Sequence, residues 1–198
     1  MELPIFPLNG AVLFPETSLP LNIFESRYIE MVNYALTRDR YIGMIQTDND
    51  NKLYKIGCIG RIHSFNETGD GRYLISLLGI NCFSVVEELK QTFSFRRVEA
   101  EILQKNEVDK NKLNEDKKFN LFRIYKKYIE LKKIGIDINE IKKIDCNQAM
   151  KFIAMVSPFE NTEKQLLLET NDDLDFYNKL ISMIELEING IFDNTTIN

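Results

Sequence analysis

The stretch that decides the fold opens the chain: LPIFPLNGAVLFPETSLPLNIFESRY, residues 3–28. It contains four of the five prolines, at Pro4, Pro7, Pro15 and Pro20. The residues between them are mostly Leu, Ile, Phe and Val, which favour strands, whereas proline lacks a backbone N–H and is excluded from central strands. The pattern therefore predicts three or four short strands punctuated by the prolines, followed by a helix that begins at Glu25.

The composition indicates a protein with a real hydrophobic core and no general affinity for nucleic acid. Of the 198 residues, 44% are hydrophobic and 28% are charged, and the net charge is -5. A nucleic-acid-binding protein needs a basic surface, which this charge does not favour. The three cysteines, Cys58, Cys82 and Cys146, are widely spaced and contain no C-x-x-C pair. They predict buried, reduced thiols and neither a disulfide framework nor a zinc site.

No targeting or membrane segment is evident in the sequence. The first ten residues, MELPIFPLNG, lack the basic region and the uninterrupted apolar region of a signal peptide. No apolar run approaches the ~20 residues that cross a bilayer. We therefore expect a cytoplasmic protein with no membrane partner.

The chain changes from strand-like to helix-like patterns near residue 104. Before that point, runs rich in β-branched and aromatic residues predict strands at 41–46, 55–65, 72–80, 82–89 and 93–103. The segment NETGDG, residues 66–71, predicts a hairpin turn, because Asn, Asp and Gly tolerate positive φ. One helix, over residues 24–39, interrupts the strands.

After residue 104 the apolar residues follow a helical period. One stripe consists of Leu121, Phe122, Tyr125, Tyr128 and Ile129. Capping patterns predict helix starts at Asp145 and at Thr162, the latter with Gln165 as its partner. A last helix begins in acidic residues near Asp173 and is expected to stop at Gly190.

Motifs for catalysis are missing from the sequence. No glycine precedes a lysine, which excludes a phosphate-binding P-loop, and no S-x-x-K or G-x-S-x-G motif is present. His63 is the only histidine, so a histidine metal cluster is excluded, and its alternating strand context favours a structural or surface role. We expect no catalytic residue, no metal and no cofactor.

The segment 105–133 is locally basic, with ten Lys or Arg residues against five acidic ones. This balance fits a patch for an acidic partner or nucleic acid, and it also fits the solvated face of an amphipathic helix. Tyr125 and Tyr128 lie on the apolar stripe, where core packing is expected and base stacking is not. We therefore adopt the solvated-face interpretation.

Taken together, these motifs resemble the Lon N-terminal domain family. The opening stretch is similar to the family's Leu-Pro-x-x-Pro-Leu, Phe-Pro and Leu-Pro-Leu elements, and LPLNIFESRY is most similar to its stand-alone members. The segments IGCIGRIHSF, DGRYLISLLGINCFSV and TEKQLLLE follow in the family's order, so the resemblance covers roughly residues 2–188. In GINCF, Cys82 replaces the arginine that is common in the family.

The resemblance implies an α+β fold, in which a PUA-like twisted β pseudo-barrel with one inserted helix precedes a C-terminal α-helical bundle. We expect a β-rich subdomain at 1–104, a linker at 105–116, a helical subdomain at 117–190 and a flexible tail at 191–198. Full Lon proteases add an ATPase module and a protease domain with a Ser-Lys dyad. The sequence has neither the P-loop nor the dyad motif, so we expect that it hydrolyses neither peptides nor ATP.

The function implied by the resemblance is non-catalytic binding of unfolded or extended polypeptide segments, and an adaptor role in protein quality control is a further hypothesis. Its partners would be such segments, a Lon-type protease or a second copy of the chain. The alternative is a PUA-like RNA-binding protein, which the balance of -3 over residues 1–103 does not favour. Candidate peptide-binding residues are Arg27, Tyr28, Phe65, Arg72 and Phe159. For each of them, core packing or an ion pair within the domain is the alternative role.

Overall fold

The structure, a computed structural model, describes residues 1–48, 50–104 and 113–196. Six strands and the helix α1 precede five further helices along the chain. The elements are β1 (Glu2–Pro7), β2 (Ser18–Ile23), α1 (Ser26–Leu36), β3 (Tyr41–Ile45), β4 (Ile56–Glu67), β5 (Tyr73–Glu88), β6 (Arg97–Ile102), α2 (Glu115–Lys132), α3 (Ile138–Ile141), α4 (Cys146–Val156), α5 (Asn161–Leu168) and α6 (Asp173–Thr196). This order confirms the predicted α+β class.

The chain forms two compact units that are not simply its two halves. The first unit contains Met1–Gln104 together with Pro158–Glu169, which carries α5. The second unit is built from α2, α3, α4 and α6. The expected helical subdomain at 117–190 thus includes a segment that groups with the strands. Residues 105–112 of the expected linker lie outside the described part of the chain. Helix α2 begins at Glu115, so it includes the last two residues of that linker.

The sheet of the first unit closes on itself. β5 pairs with β4, β4 with β3, β3 with β1, β1 with β6, and β6 returns to β5. Every pairing in this ring is antiparallel except that of β1 with β3. The closed ring surrounds a core of Leu3, Ile5, Ile45, Ile59, Phe83, Val98 and Ala100. The expectation of a β pseudo-barrel is therefore confirmed.

Strand β5 is longer than the ring requires. Its 16 residues replace the two separate strands predicted at 72–80 and 82–89. The predicted break is wrong because Asn81, which falls between the two apolar runs, pairs with Ile59 in the ladder. The second half of β5 pairs with β6, whereas its first half extends beyond the ring and pairs with β2.

Each proline of β1 lies where a backbone N–H would have no partner. Alternate N–H groups of a strand point to opposite edges. Ile5 donates to Arg96 O on the β6 side, so Pro4 faces β3, where pairing begins only at Ile5. Pro7 faces β6, where pairing has already ended at Pro4. The prolines therefore mark the point at which β1 exchanges one neighbour for another.

The opening stretch contains two strands and not the three or four predicted. Val12, Leu13 and Phe14 are buried without joining a strand. The reason is a turn from Phe14 to Thr17, in which Pro15 takes the second position and Glu16 has φ 68. The Thr17 hydroxyl donates to Phe14 O at 2.7 Å and also accepts from the Phe14 N–H at 3.2 Å, so Phe14 bonds to this turn.

Helix α5 is attached to the strands by two buried glutamines. Gln46, which follows β3, donates to Asn161 O at 2.9 Å and to Gln165 Oε1 at 3.0 Å. Gln165 donates in turn to Ile56 O of β4 at 3.0 Å. The predicted cap at Thr162 is wrong: α5 begins after Glu160, whose N–H donates to Glu163 Oε2 at 2.8 Å. Gln165 is therefore a buried contact residue and not a capping partner.

In the second unit the predicted stripe of α2 is buried, as expected for core packing. The predicted cap of α4 is confirmed, since Asp145 accepts from the Gln148 N–H at 2.9 Å. The predicted stop at Gly190 is wrong, because α6 continues to Thr196. A glycine favours a helix end only where a left-handed residue follows the last turn, and Gly190 has no positive φ. The expected flexible tail, residues 191–198, therefore starts within α6, and its last two residues, 197–198, lie outside the described part of the chain.

Among the described residues, no helix is both long enough and apolar enough to cross a membrane.

Gly79 on β5 tests the close contact between β5 and the turn at residues 14–17, which we call the crossing. A Cβ at this position would lie 2.1 Å from Phe14 O, a backbone atom that cannot move aside. We expect Gly79→Ala to lower the free energy of unfolding by at least about 2 kcal/mol in urea titrations. Gly69→Ala is the control, because nothing lies within 4 Å of its Cβ, and its effect should stay within about 0.5 kcal/mol. Equal effects of the two variants would contradict the crossing.

The attachment of α5 can be measured by hydrogen exchange. Gln165→Ala removes three hydrogen bonds, so one N–H of the buried Gln46 amide and the carbonyl of Ile56 lose the Gln165 side chain as partner, while Gln46 keeps its bond to Asn161 O. Helix α5 should therefore open more easily by about 2 kcal/mol. Faster exchange of the α5 amides is the expected readout. The exposed Thr162→Ala should leave that exchange unchanged, whereas a strong effect would restore Thr162 as the cap.

Candidate functional site

Beyond the ring, the first unit carries a three-stranded section. It consists of β2, residues 73–78 of β5 and residues 61–67 of β4. The register aligns three rows of residues across these strands. The rows are Asn22–Leu74–Asn66, Pro20–Ser76–Ser64 and Ser18–Leu78–Arg61. Directly opposed residues project to the same side of a sheet, so each row belongs to one face.

The eight uncharged residues of these rows form a surface that we call the neutral face: Ser18, Pro20, Asn22, Ser64, Asn66, Leu74, Ser76 and Leu78. Leu74 and Leu78 are 43% and 39% exposed, and the β2 and β4 members are exposed. The hydroxyls of Ser18 and Ser76 hydrogen-bond to each other at 2.8 Å. Arg61 lies at one end of the face. The neutral face therefore presents two leucines among short polar side chains and no charge of its own.

The opposite side of the same section faces the core. Ile23, Ile75 and Leu77 alternate with the neutral-face residues and are buried. The section is thus amphipathic with the two-residue period of a strand. Its inner side anchors it to the first unit, and the neutral face is left to solvent.

Strand β2 forms an edge of this section. Gly79 N–H donates to Thr17 O at 2.9 Å, which makes these two a hydrogen-bonded pair. Such pairs alternate along antiparallel strands, so the backbone groups of Ser18, Pro20 and Asn22 point away from β5. No described strand pairs with that outer edge. Proline, which has no N–H, occupies its centre.

The hairpin turn closes one end of the section. Arg72 Nε donates to Asp70 Oδ2 at 2.8 Å, and Thr68 Oγ1 donates to Asp70 Oδ1. The Arg72 hydrogen bond, followed by that of Thr68, holds the pKa of Asp70 far below its usual range, and the Asp70 hydrogen bond raises the pKa of Arg72. Both side chains are exposed, so this pair shapes the turn while remaining in water.

Three of the five predicted binding residues are exposed, and one of them, Arg72, lies in this turn. Ile23 at the end of β2 pairs with Tyr73, and Arg27 follows in the first turn of α1. Arg27 is exposed and ion-paired with Glu25 at 2.7 Å. Phe65 is 42% exposed and packs edge-on against Tyr73, 4.9 Å between centroids, on the side of the hairpin opposite the neutral face.

The other two predicted residues are buried. Tyr28 packs against Phe6 with 4.2 Å between ring centroids, and burial raises the pKa of its phenol. Phe159 is also buried, in the segment that leads into α5. Tyr28 thus has the packing role that the sequence analysis gave as its alternative, and the buried ring of Phe159 is not available at the surface.

The exposed apolar residues of this region were not among those selected from the sequence. Phe24, between β2 and α1, is 66% exposed, and Leu74 and Leu78 point outward from β5. In the sequence, Leu74 and Leu78 lie at alternate positions of a predicted strand, with Ser76 between them. The intervening positions, Ile75 and Leu77, are also apolar, so the pattern does not show which side faces outward. Alternation reveals a strand, but the side that faces the core depends on the neighbouring strands.

A cavity of about 420 Å³ lies elsewhere in the first unit, lined among others by Glu2, Tyr34, Arg38, Phe93 and Arg97. Its polar groups bond to one another: Glu2 accepts from the Tyr34 hydroxyl and from Arg97. These two hydrogen bonds, that of Tyr34 first, lower the pKa of Glu2. Arg38 stacks on Tyr34, 3.6 Å from its centroid. The cavity lining is thus a network of residues that already have partners.

Metal and acid–base chemistry find little basis in the described residues. His63 lies on the surface of β4. Within residues 1–48, 50–104 and 113–196, no cluster of three or more His, Cys, Asp or Glu side chains could hold a metal ion.

Comparison with known proteins gives a consistent result. A family model described as the ATP-dependent protease La (LON) substrate-binding domain matches residues 2–185. The Lon protease of Dictyoglomus thermophilum is 26% identical over 179 residues, which cover 86% of this chain and 22% of that protease. This chain therefore spans less than a quarter of that curated relative.

Two solved structures share the fold. A Lon N-terminal domain protein from Xanthomonas campestris has a TM-score of 0.67 at 19% identity, over 93% of this chain and 98% of that one. The N-terminal domain of the Lon protease from the Mycobacterium avium complex has a TM-score of 0.72 at 13% identity, over the same shares.

The assignment of faces in β5 can be tested with two adjacent leucines. Leu77 is fully buried, so Leu77→Ala should lower the free energy of unfolding by about 2 to 4 kcal/mol. Leu78→Ala removes the same atoms from the neutral face and should cost less than about 1 kcal/mol. Urea titration of both variants gives the comparison. A register shifted by one residue would reverse the two results.

Proposed function

Because this chain belongs to the Lon protease substrate-binding domain family, we propose that it binds extended polypeptide segments on the neutral face without cleaving them. Family membership supports a role in substrate recognition. The single observation that carries the finer proposal is a solvent-exposed sheet face with two leucines, on which eight of the nine aligned residues are uncharged and Arg61 lies at the end.

The chemistry of the neutral face favours an unfolded or extended segment as its occupant. Leu74 and Leu78 offer apolar contact, and the serines and asparagines around them can hydrogen-bond to peptide groups. The three strands make the face about 10 Å wide, and six residues of β2 make it about 20 Å long. An extended segment of roughly six residues covers that length. Folded proteins bury their apolar residues, so such a segment is most available in an unfolded chain.

Strand addition at the edge of β2 is the less suitable mode. An added strand needs a row of backbone donors and acceptors. Pro20 removes the central donor of that row, which is a known way of protecting an edge strand. We therefore assign binding to side chains of the neutral face, with the backbone edge of β2 in a minor role.

The candidate residues from the sequence take different places in this proposal. Arg27 and Arg72 are exposed beyond the hairpin end of the face, where they would contact a segment that continues past it, whereas Phe65 is exposed on the opposite side of the hairpin. Phe24 joins the two arginines at that end. Tyr28 and Phe159 take no direct part in this contact, because their rings are buried.

The same surface gives little support to the RNA-binding alternative. Single-stranded RNA needs a basic groove that follows its phosphates. The neutral face has one arginine, Arg61, at its end, and the sequence before residue 104 carries a net negative charge.

The biological setting is part of the proposal. Delivery of bound segments to a Lon-type protease, as an adaptor in cytoplasmic protein quality control, fits a recognition module without catalytic motifs. Self-association is the other arrangement to examine. Co-purification of the chain with a Lon-type protease, with and without a bound peptide, distinguishes the two.

Peptide affinity tests the proposed surface. A fluorescein-labelled, uncharged peptide of about ten residues with alternating leucines should increase in anisotropy as the protein is added. Leu74→Asp with Leu78→Asp places two charges on the neutral face and should weaken binding at least about tenfold. Leu166→Asp is the matched control, since Leu166 is 56% exposed on α5 of the same unit, and it should bind like the unaltered chain.

Two outcomes would contradict the proposal. If no such peptide binds above background, the recognition function itself is wrong. If peptides bind but the two-site variant and the Leu166 variant behave alike, the function stands and the neutral face is the wrong surface.

A further inference from the structure

Two of the three cysteines face each other across neighbouring strands. Cys58 on β4 and Cys82 on β5 are direct partners in the antiparallel register. Val85 N–H donates to Lys55 O at 2.8 Å, so Lys55 and Val85 form a hydrogen-bonded pair. Counting three residues inward along the alternating ladder, Cys58 and Cys82 form a non-hydrogen-bonded pair.

This type of pair brings side chains closest together. The Cα atoms of a non-hydrogen-bonded pair lie about 4.5 Å apart, and both side chains project from the same face. Disulfides form between Cα atoms roughly 4.4 to 6.8 Å apart. A bond between the two sulfurs is therefore compatible with the backbone as it stands.

The surroundings distinguish this pair from the third cysteine. Cys58 and Cys82 are buried within the first unit, and the Cys82 thiol donates to Leu168 O, the last residue of α5, at 3.8 Å. Cys146 belongs to the second unit. Burial, and then the neighbouring Asp145 carboxylate, raises the pKa of Cys146 to about 11.

We propose that Cys58 and Cys82 form a cross-strand disulfide when the protein meets a hydroperoxide. One thiolate attacks the peroxide oxygen to give a sulfenic acid and water, and the second thiol displaces a second water to form the S–S bond. In sum, two thiols and one hydrogen peroxide give one disulfide and two waters. Thiol reductants reverse the reaction.

The bond would alter the attachment of α5. Oxidation removes the S–H group with which Cys82 donates to Leu168 O, and it turns the sulfur toward Cys58. The carboxyl end of α5 then loses this contact and keeps the hydrogen bonds of Gln165. Because the cysteines are buried, opening of α5 also admits the oxidant, so weaker attachment should accelerate the reaction.

Mass spectrometry of the whole chain tests the pair. The folded protein is treated with hydrogen peroxide, quenched in acid, unfolded, alkylated and digested. The expected product has a peptide link between Cys58 and Cys82, with Cys146 alkylated, and a thiol reductant abolishes the link. Cys146→Ser should form the same link, and Cys82→Ser should form none within the chain.

The attachment of α5 provides a second measurement. Gln165→Ala should form the link about thirtyfold faster, which corresponds to the loss of about 2 kcal/mol of attachment expected for this variant. The oxidised protein should exchange its α5 amides faster than the reduced protein. Unchanged exchange would overturn the coupling to α5. A link that involves Cys146, or no link in either the unaltered chain or Gln165→Ala, would overturn the proposed pair.

Discussion

A proline has no backbone N–H to donate, and the first unit is arranged around that constraint. Each of the four early prolines lies where no donor is needed. Pro4 and Pro7 face the edges of β1 at which pairing has not begun or has ended, which lets β1 join β6 to β3 and close the ring. Pro15 opens the turn that precedes β2, and Pro20 lies on the outer edge of β2. Without these positions, the same apolar sequence would favour longer strands with open edges.

Strand β5 has different neighbours along its two halves. β5 completes the ring with one half and supports β2 with the other. The two uses leave the neutral face exposed, since its outer side has no layer of described residues over it, while its inner side is buried. The surface that we propose for polypeptide binding thus arises from ordinary packing, without a cavity or a charged cleft.

Those parts of the fold that depend on local sequence patterns were predictable, and those that depend on distant residues were not. The strand-like runs, the helix α1, the stripe of α2 and the Asp145 cap depend on neighbouring residues, and the structure contains them. The placement of α5 with the strands was not predictable, because it depends on Gln46 and Gln165, which are far apart in sequence. Phe65 and Arg72 were identified at the hairpin, but Leu74 and Leu78 were missed, since a strand with apolar residues on both sides does not reveal which side is covered. Cys82 could be noted as a departure from the family's arginine, but its partner Cys58 required the register.

The central claim is that an extended polypeptide rests on the side chains of the neutral face. Amide chemical shifts of the isotopically labelled chain, followed while an uncharged unfolded peptide is added, test it most directly. The account predicts that the largest changes occur in β2, in residues 73–78 and in residues 61–67. Changes concentrated in the helices of the second unit, with those three segments unaffected, would contradict it.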